Sequence, residues 1–141
     1  MRMLEIGGSS GLSTIALATA ARHTGGRLVS IEVEHVRQAE ARETLSRLKL
    51  DQHVEFVLAD AATILHRHTD LDFALIDCEK EDYIRFFDLL GMRHCGIVLA
   101  DNIISHGLTD YVAHVRSRPD VESITLPIGK GLELTRFLRT G

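Results

Sequence analysis

The sequence contains few of the residues that mark specialised classes of protein. It has no tryptophan, two cysteines and two prolines in 141 residues, and aromatic residues make up only 5% of the chain. The two cysteines, Cys78 and Cys95, stand too far apart for a metal-binding pair. We therefore predict two reduced thiols rather than a disulfide framework or a zinc site. No group of aromatic residues marks a pocket for an acceptor molecule.

The chain also lacks an excess of positive charge and a long apolar run. It has 16 basic and 20 acidic residues, a formal net charge of −4, which argues against binding to nucleic acid or to an anionic membrane. No apolar stretch approaches the length of a membrane span, and no signal-peptide pattern opens the sequence. These observations predict a cytoplasmic protein with no nucleic-acid or membrane partner.

The residues that are present alternate between strand and helix patterns along the whole chain. Apolar residues account for 45% and charged residues for 26%, and no linker or repeat appears, so we predict a single domain over 1–141. The predicted strands are near 3–6, 27–32, 54–59, 71–77, 96–101, 121–128 and 132–137, and the predicted helices are 12–23, 35–48, 61–66, 82–90 and 109–117. Core-facing positions of the second helix are predicted at Val36, Ala39, Leu45 and Leu48. This order indicates an α/β fold with a doubly wound, mostly parallel seven-stranded sheet and a C-terminal antiparallel hairpin.

A glycine-rich turn follows the first strand, in the stretch LEIGGSSGLS. Gly7, Gly8 and Gly11 have no Cβ to block a ligand, and the N–H groups of the following helix point toward the turn. The pattern favours a ligand site, but a tight strand-to-helix connection without a ligand is the alternative.

Acidic residues stand at or near the end of each of the first five predicted strands. They are Glu5, Glu32, Asp60, Asp77, and Asp101 with its neighbour Asn102. In a doubly wound sheet, ligands bind outside the carboxyl ends of the strands. Any one of these acids could simply cap a helix or face solvent in a loop, but five in series indicate a binding edge.

Glu32 follows the glycine turn by about twenty residues, which is where an acid binds ribose hydroxyls in a nucleoside-binding α/β unit. The nicotinamide fingerprint Gly-x-Gly-x-x-Gly fails here, because Ser9 stands at its second glycine. The remaining pattern, Glu-x-Gly-x-x-x-Gly with Gly7 and Gly11, fits a nucleoside ligand without a pyrophosphate. A nicotinamide-dependent enzyme is the weaker alternative.

Three oxygen donors and one lysine form a second group of candidate residues. Asp77, Asp101 and Asn102 provide two carboxylates and one amide, a set that suits Mg²⁺, with Ca²⁺ or Mn²⁺ as alternatives. Capping of the two loops is the competing interpretation. Lys80 is either a solvated lysine in a charged run or, beside a bound dication, a base.

These residues resemble a known family along nearly the whole chain. The stretches LEIGGSSGLSTIALA, SIEVE, VLADA, LDFALIDCEKEDY, VLADNIISHG and LPIGKGLELTRF are similar to the motifs of the metal-dependent class I S-adenosylmethionine O-methyltransferases. This family includes catechol and caffeoyl-CoA O-methyltransferases and bacterial relatives, and its fold is Rossmann-like. The Asp-x-x-Lys block together with the Asp-Asn pair is the most specific part of the resemblance.

The resemblance implies a role for each matched residue. Asp60 and Ala61 would lie at the adenine, Glu32 would bind the ribose hydroxyls, and Asp77 would serve both cofactor and catalysis. The residues implied on the methionine and ribose side are Glu5, Gly7, Ser9, Gly11 and Ser13. Asp77, Asp101 and Asn102 would bind a divalent metal, and Lys80 would be the general base. The implied reaction transfers a methyl group from S-adenosylmethionine to a hydroxyl of a small catechol-like or vicinal-diol acceptor; a domain that binds the cofactor without turnover is the alternative.

Two departures from the family pattern bear on these expectations. Relatives carry helices ahead of the first strand, whereas this sequence begins inside that strand, which implies either a truncated start or a branch without this cover. Apolar surface would then be left for a partner subunit, so a homodimer is a possible partner arrangement. Lys130 occupies a hairpin position where many relatives have an acid.

Overall fold

A seven-stranded sheet organises the structure, a computed structural model that describes residues 1–8 and 11–138. The strands are β1 (Arg2–Ile6), β2 (Arg27–Glu32), β3 (Val54–Leu58), β4 (Leu71–Ile76), β5 (Met92–Ala100), β6 (Val121–Leu126) and β7 (Leu132–Phe137). The α-helices are α1 (Leu12–Thr24), α2 (His35–Arg47), α3 (Tyr83–Leu89) and α4 (Thr109–Arg116). Short 3₁₀ turns occupy Asp51–His53, Ala61–Thr63, Leu65–Arg67 and Lys80–Asp82.

The strand order is β3-β2-β1-β4-β5-β7-β6. Strands β1 to β5 are parallel, with Leu4 of β1 opposite Val29 of β2 and Ala74 of β4. Strand β7 runs antiparallel to both β5 and β6. The predicted doubly wound fold with a closing hairpin is therefore confirmed. The chain moves outward in opposite directions from β1 and β4, so the crevice of the sheet lies at their carboxyl ends.

One face of the sheet is covered along its length. Leu4 and Ile31 pack with Leu65 of the 3₁₀ turns, and Val98 packs with Phe87 of α3, so this face carries two of the three clusters of buried apolar residues. Helix α4 joins the same layer through its buried residues. This packing fixes the loops that follow β3, β4 and β5, which carry the candidate residues.

The other face is covered unevenly. Helices α1 and α2 pack over β1, β2 and β3, where Met3 and Leu28 are buried. The strand registers place Leu75, Leu99, Leu134 and Ile124 in one row on the remainder of this face. Leu75, Leu99 and Leu134 are half-buried and Ile124 is 56% exposed. No helix among the described residues covers this row.

Three local predictions were wrong. The predicted helix 61–66 is two 3₁₀ turns, Ala61–Thr63 and Leu65–Arg67, because six residues are too few for a stable α-helix. Strand β5 begins at Met92 rather than at residue 96, and passes through an irregularity in its pairing with β4. Helix α2 buries Gln38, Ala41 and Leu45. The positions predicted to face the core with Leu45 (Val36, Ala39 and Leu48) are exposed.

Among the described residues, no helix combines the length and the apolar composition that a membrane crossing requires.

Candidate functional site

A cleft of about 410 Å³ opens at the carboxyl ends of β1, β2, β3 and β4. Five of the nine residues predicted to bind a cofactor line it: Gly7, Glu32, Asp60, Ala61 and Asp77. The remaining walls include apolar side chains, among them Ile6, Ile31, Val33 and Phe86. The structure thus brings residues from four separate loops into one cavity at the predicted edge of the sheet.

Gly7 forms the closest approach between two of these loops. Its φ is +88°, in the left-handed region, and a Cβ atom at this position would lie 1.8 Å from the Asp77 carbonyl oxygen. The Gly7 N–H donates to the Ile31 carbonyl at 2.9 Å. Only glycine meets both the steric and the dihedral requirement here, so the glycine turn brings Asp77 against the end of β1.

Glu5 lies beneath the turn rather than in the cleft. It is 1% exposed, and its carboxylate accepts hydrogen bonds from Ser13 at 3.0 Å, from Ser30 at 2.7 Å and from Thr14. Burial raises the pKa of Glu5, while the three hydroxyl donors oppose this shift. Glu5 and Ser13 therefore join the start of α1 to β1 and β2 and support the turn from below.

The other two predicted turn residues also differ from Gly7. Gly11 adopts φ +96° and packs against α2, where an added Cβ would lie 3.2 Å from the Ala41 Cα. It is not among the residues that line the cleft. Ser9 lies outside the described residues.

Glu32 is the most buried acid that lines the cleft, at 7% exposure. Burial raises its pKa, and the nearby Arg37 guanidinium, 3.9 Å away, opposes the increase. Arg37 also pairs with Glu34 at 3.2 Å. Glu32 thus presents a largely buried hydrogen-bond acceptor in the wall of the cavity, a position suited to a pair of ligand hydroxyls.

Asp60 and Ala61 form the opposite end of the cleft. The Asp60 carboxylate accepts the Ala62 N–H at 3.0 Å, which confirms the predicted capping role. Ala61 is buried beneath the cavity wall. The carboxylate itself remains about half exposed, so it is available to a ligand as well as to its cap.

Asp77, Asp101 and Asn102 meet where β4 and β5 end. The Asn102 side-chain amide donates to Asp77 Oδ1 at 2.8 Å, and the Asn102 N–H donates to Asp101 Oδ1 at 2.7 Å. Burial is the main cause that raises the pKa of Asp77, and the negative charge of Asp101 adds to it. His106 and Lys130 oppose that increase with positive charge. Asn102 is held at φ +64°, a left-handed conformation that asparagine tolerates.

This set of oxygen donors is small for a metal site. Within residues 1–8 and 11–138, no group of three or more His, Cys, Asp or Glu side chains is positioned to bind an ion. Two carboxylates and one amide fall below that number, but their type matches hard cations such as Mg²⁺. The chemistry of the donors therefore fits a divalent ion that takes its remaining ligands from substrate and water.

Lys80 lies outside the main cleft. It is exposed at the start of a 3₁₀ turn and lines a second cavity of about 340 Å³ with Tyr83 and Leu108. The Tyr83 hydroxyl donates to the Asp101 carbonyl at 2.9 Å, which links this cavity to the Asp101–Asn102 loop. The structure thus places Lys80 in a different cavity from Asp77.

Several residues that line the cleft were not predicted from the sequence. Among them are Arg37, Cys78, Arg85 and Phe86. Cys78 directly follows Asp77, and burial together with neighbouring acids raises the pKa of its thiol. Arg85 pairs with Asp60 across loops, whereas Arg37 pairs with Glu34 three residues earlier and lies near Glu32.

Solved structures with this arrangement define the class of the protein. The chain superposes with TM-score 0.89 on the O-methyltransferase TomG from Streptomyces achromogenes in complex with S-adenosylmethionine, at 25% identity over 98% of this chain and 73% of that one. The fold and the cleft are those of an S-adenosylmethionine-dependent methyltransferase.

A family model described as O-methyltransferase matches residues 1–138, so the chain belongs to the O-methyltransferase family. It is 30% identical to the catechol O-methyltransferase of Sus scrofa over 81% of this chain and 66% of that protein. It is 25% identical to the flavonoid 3',5'-methyltransferase of Vitis vinifera over 97% of this chain and 70% of that protein. The chain thus spans about two thirds of the length of these relatives.

Proposed function

We propose that the protein transfers a methyl group from S-adenosylmethionine to a hydroxyl of a small catechol-like or vicinal-diol acceptor. The observation that carries this proposal is the single cleft that joins Gly7, Glu32, Asp60 and Asp77. Glu32, which would bind the ribose hydroxyls, and Asp60, which would border the base, both line this cleft. The names of the relatives support hydroxyl acceptors as the substrate class.

The cofactor would lie along the cleft with its nucleoside between Glu32 and Asp60. The Glu32 carboxylate accepts the ribose hydroxyls, and Asp60 and Ala61 border the adenine. Asp77 lies toward the sulfonium end, where its negative charge favours the cationic methyl donor. Gly7 lets this end of the cofactor approach the backbone closely.

A divalent cation, most simply Mg²⁺, would be held by Asp77, Asp101 and Asn102. The Asn102 side chain would provide its amide oxygen as a ligand, since its NH2 group is the part that donates to Asp77. When bound, such an ion would lower the pKa of an acceptor hydroxyl. Asp77 then has two duties, because it belongs both to the cleft and to the oxygen set.

Lys80 would accept the proton of the acceptor hydroxyl at its Nζ atom. The sulfonium already activates the methyl group, so the protein contributes alignment of acceptor and donor and removal of one proton.

The test is methyl transfer to a panel of catechols with and without EDTA, using Lys80→Met and Asp101→Asn. Lys49→Met and Asp51→Asn are matched controls, since both side chains are exposed and neither lines the main cleft or the Lys80 cavity. We expect EDTA and both site variants to reduce kcat at least tenfold, with the controls unchanged. Equal activity with and without EDTA would contradict the proposed role of the metal. An unchanged kcat in Lys80→Met would contradict the proposed role of Lys80 as the base.

A domain that binds the cofactor without turnover is the second candidate. The position of Lys80 outside the main cleft favours it. Tight binding of S-adenosylhomocysteine in a calorimeter, with no methyl transfer to any acceptor in the panel, would support this candidate over the first.

A second copy of the chain is the proposed cover for the row of Leu75, Leu99, Leu134 and Ile124. Glu122 and Arg136 form an ion pair on the same face as this row, at the edge of the sheet. Parallel sheets require both faces to be covered, and an isologous homodimer meets that requirement.

A further inference from the structure

Arg85 connects two loops across the mouth of the cleft. Its guanidinium donates to Asp82 Oδ1 at 2.8 Å and lies 3.8 Å from Asp60 Oδ1. Asp82 ends the turn before α3, whereas Asp60 follows β3. One side chain therefore ties together the loops on either side of the Asp60 end of the cavity.

The same guanidinium is stacked on an aromatic ring. The Arg85 Cζ atom lies 4.8 Å from the centroid of Phe86, which is 4% exposed and also lines the cleft. A planar cation held on a ring and by two carboxylates has few alternative positions. These contacts hold the Arg85 guanidinium against Phe86 and Asp82, even though its side chain is 48% exposed.

These contacts act on the Asp60 carboxylate. Its Oδ1 atom accepts the Ala62 N–H and faces Arg85, and Oδ2 accepts no hydrogen bond from the described residues. With one oxygen fixed from two sides, the other is presented as an acceptor. The matching ligand group at this end of a purine nucleoside is an exocyclic amine, which donates, and not a carbonyl, which would repel the carboxylate.

We propose that Arg85 is a positioning residue that sets cofactor specificity: it fixes Asp60 so that the cleft selects a 6-aminopurine nucleoside over its 6-oxopurine counterpart. The inference rests on the proposed function, because it takes the nucleoside of S-adenosylmethionine to lie with its base at Asp60. It adds to that function a residue that contacts the recognising carboxylate and not the reacting atoms.

The experiment measures calorimetric affinity for S-adenosylhomocysteine and for its deaminated analogue S-inosylhomocysteine. The readout is the ratio of the two dissociation constants for each protein. A ratio measured on one protein preparation is insensitive to the fraction of inactive molecules, so a purely structural defect does not change it. Variants are Arg85→Gln, which removes the charge, and Arg85→Lys, which keeps it.

Arg42→Gln is the matched control. Arg42 is also stacked on a phenylalanine, 5.0 Å from the centroid of Phe56, but neither residue lines the cleft. We expect the wild type and Arg42→Gln to share one ratio in favour of the amino compound. We expect Arg85→Gln to reduce that ratio by about three- to tenfold, the range of a partly exposed ion pair and a stacked cation, and Arg85→Lys to recover part of the loss.

An Arg85→Gln ratio equal to that of the wild type would overturn the inference and leave the proposed function intact. A ratio that falls equally in Arg42→Gln would overturn it as well, because the effect would then not depend on Asp60. Failure of the wild type to bind S-adenosylhomocysteine would instead overturn the proposed function, and the inference with it.

Discussion

Gly7→Ala tests whether the close approach of two strand ends builds the cleft. A Cβ atom at Gly7 would lie 1.8 Å from the Asp77 carbonyl oxygen, while real Cβ contacts stay beyond 3.0 Å, so the two backbones must separate by roughly the 1.2 Å difference. That movement strains the hydrogen bonds Asp77 N–H to Ile6 at 3.0 Å and Gly7 N–H to Ile31 at 2.9 Å. Asp77 would be displaced from the cleft wall.

The expected loss in the free energy of unfolding of Gly7→Ala has two contributions. Left-handed backbone costs an alanine about 1–2 kcal/mol, and weakening one or two backbone hydrogen bonds costs about 1–2 kcal/mol more. We therefore expect the free energy of unfolding to fall by about 2–4 kcal/mol, a large part of the typical stability of a domain.

Gly25→Ala is the control that separates these contributions. Gly25 has φ +70° at the end of α1, and a Cβ atom there would meet nothing within 4 Å. In urea unfolding, the free energy of unfolding of this variant should fall only by the cost of a left-handed alanine backbone, about 1–2 kcal/mol. S-adenosylhomocysteine affinity, measured by calorimetry, should fall at least tenfold in Gly7→Ala and stay constant in Gly25→Ala. Equal stability losses in the two variants, with equal affinities, would refute the role assigned to the Gly7–Asp77 contact.

Three further measurements address the cleft and the uncovered sheet. Burial raises the pKa of Glu32 above the usual 4.5. The affinity for S-adenosylhomocysteine should therefore decrease as the pH is lowered through this raised pKa, and Glu32→Gln should remove the pH dependence. The same pH profile in the wild type and in Glu32→Gln would contradict this prediction. Because burial raises the pKa of the Cys78 thiol, iodoacetamide at pH 8 should modify the exposed Cys95 first, and equal rates by mass spectrometry would be inconsistent with the structure. Ile124→Glu should convert a dimer to a monomer in sedimentation experiments while Val36→Glu does not; a monomeric wild type would exclude the proposed dimer.

The sequence predicted most of the fold because its apolar strands are short and separated by clear turn signals. The bounds of β2 and β7 agree with the prediction residue for residue, and most other elements differ by one or two residues. Helix α2 shows where local patterns fail. Its exposed Val36 and buried Gln38 invert the amphipathic expectation, because the close contact between Gly11 and Ala41 sets its packing. That contact joins residues thirty positions apart, which periodicity within the helix cannot reveal.

Arg85 illustrates the same limit at the site. Its partner Asp60 is twenty-five positions earlier in the chain, and the two meet only because β3 and β4 flank the strands that end at the cleft. Within the sequence, Arg85 belongs to an ordinary charged segment. Candidate ligand-binding residues were predicted from strand ends, whereas the contact between Arg85 and Asp60 is visible only in the fold.

The position of an acid relative to the end of its strand separates ligand-facing from supporting residues. Asp77 and Asp101 follow the last residue of β4 and β5, and both lie in the loops at the sheet edge. Glu5 instead lies within β1, one residue before its end, so strand alternation directs its side chain to the face beneath α1. Sequence reasoning grouped all of these acids as one binding edge. For these three acids, a two-residue difference in position relative to the strand end separates the loops at the sheet edge from the face beneath α1.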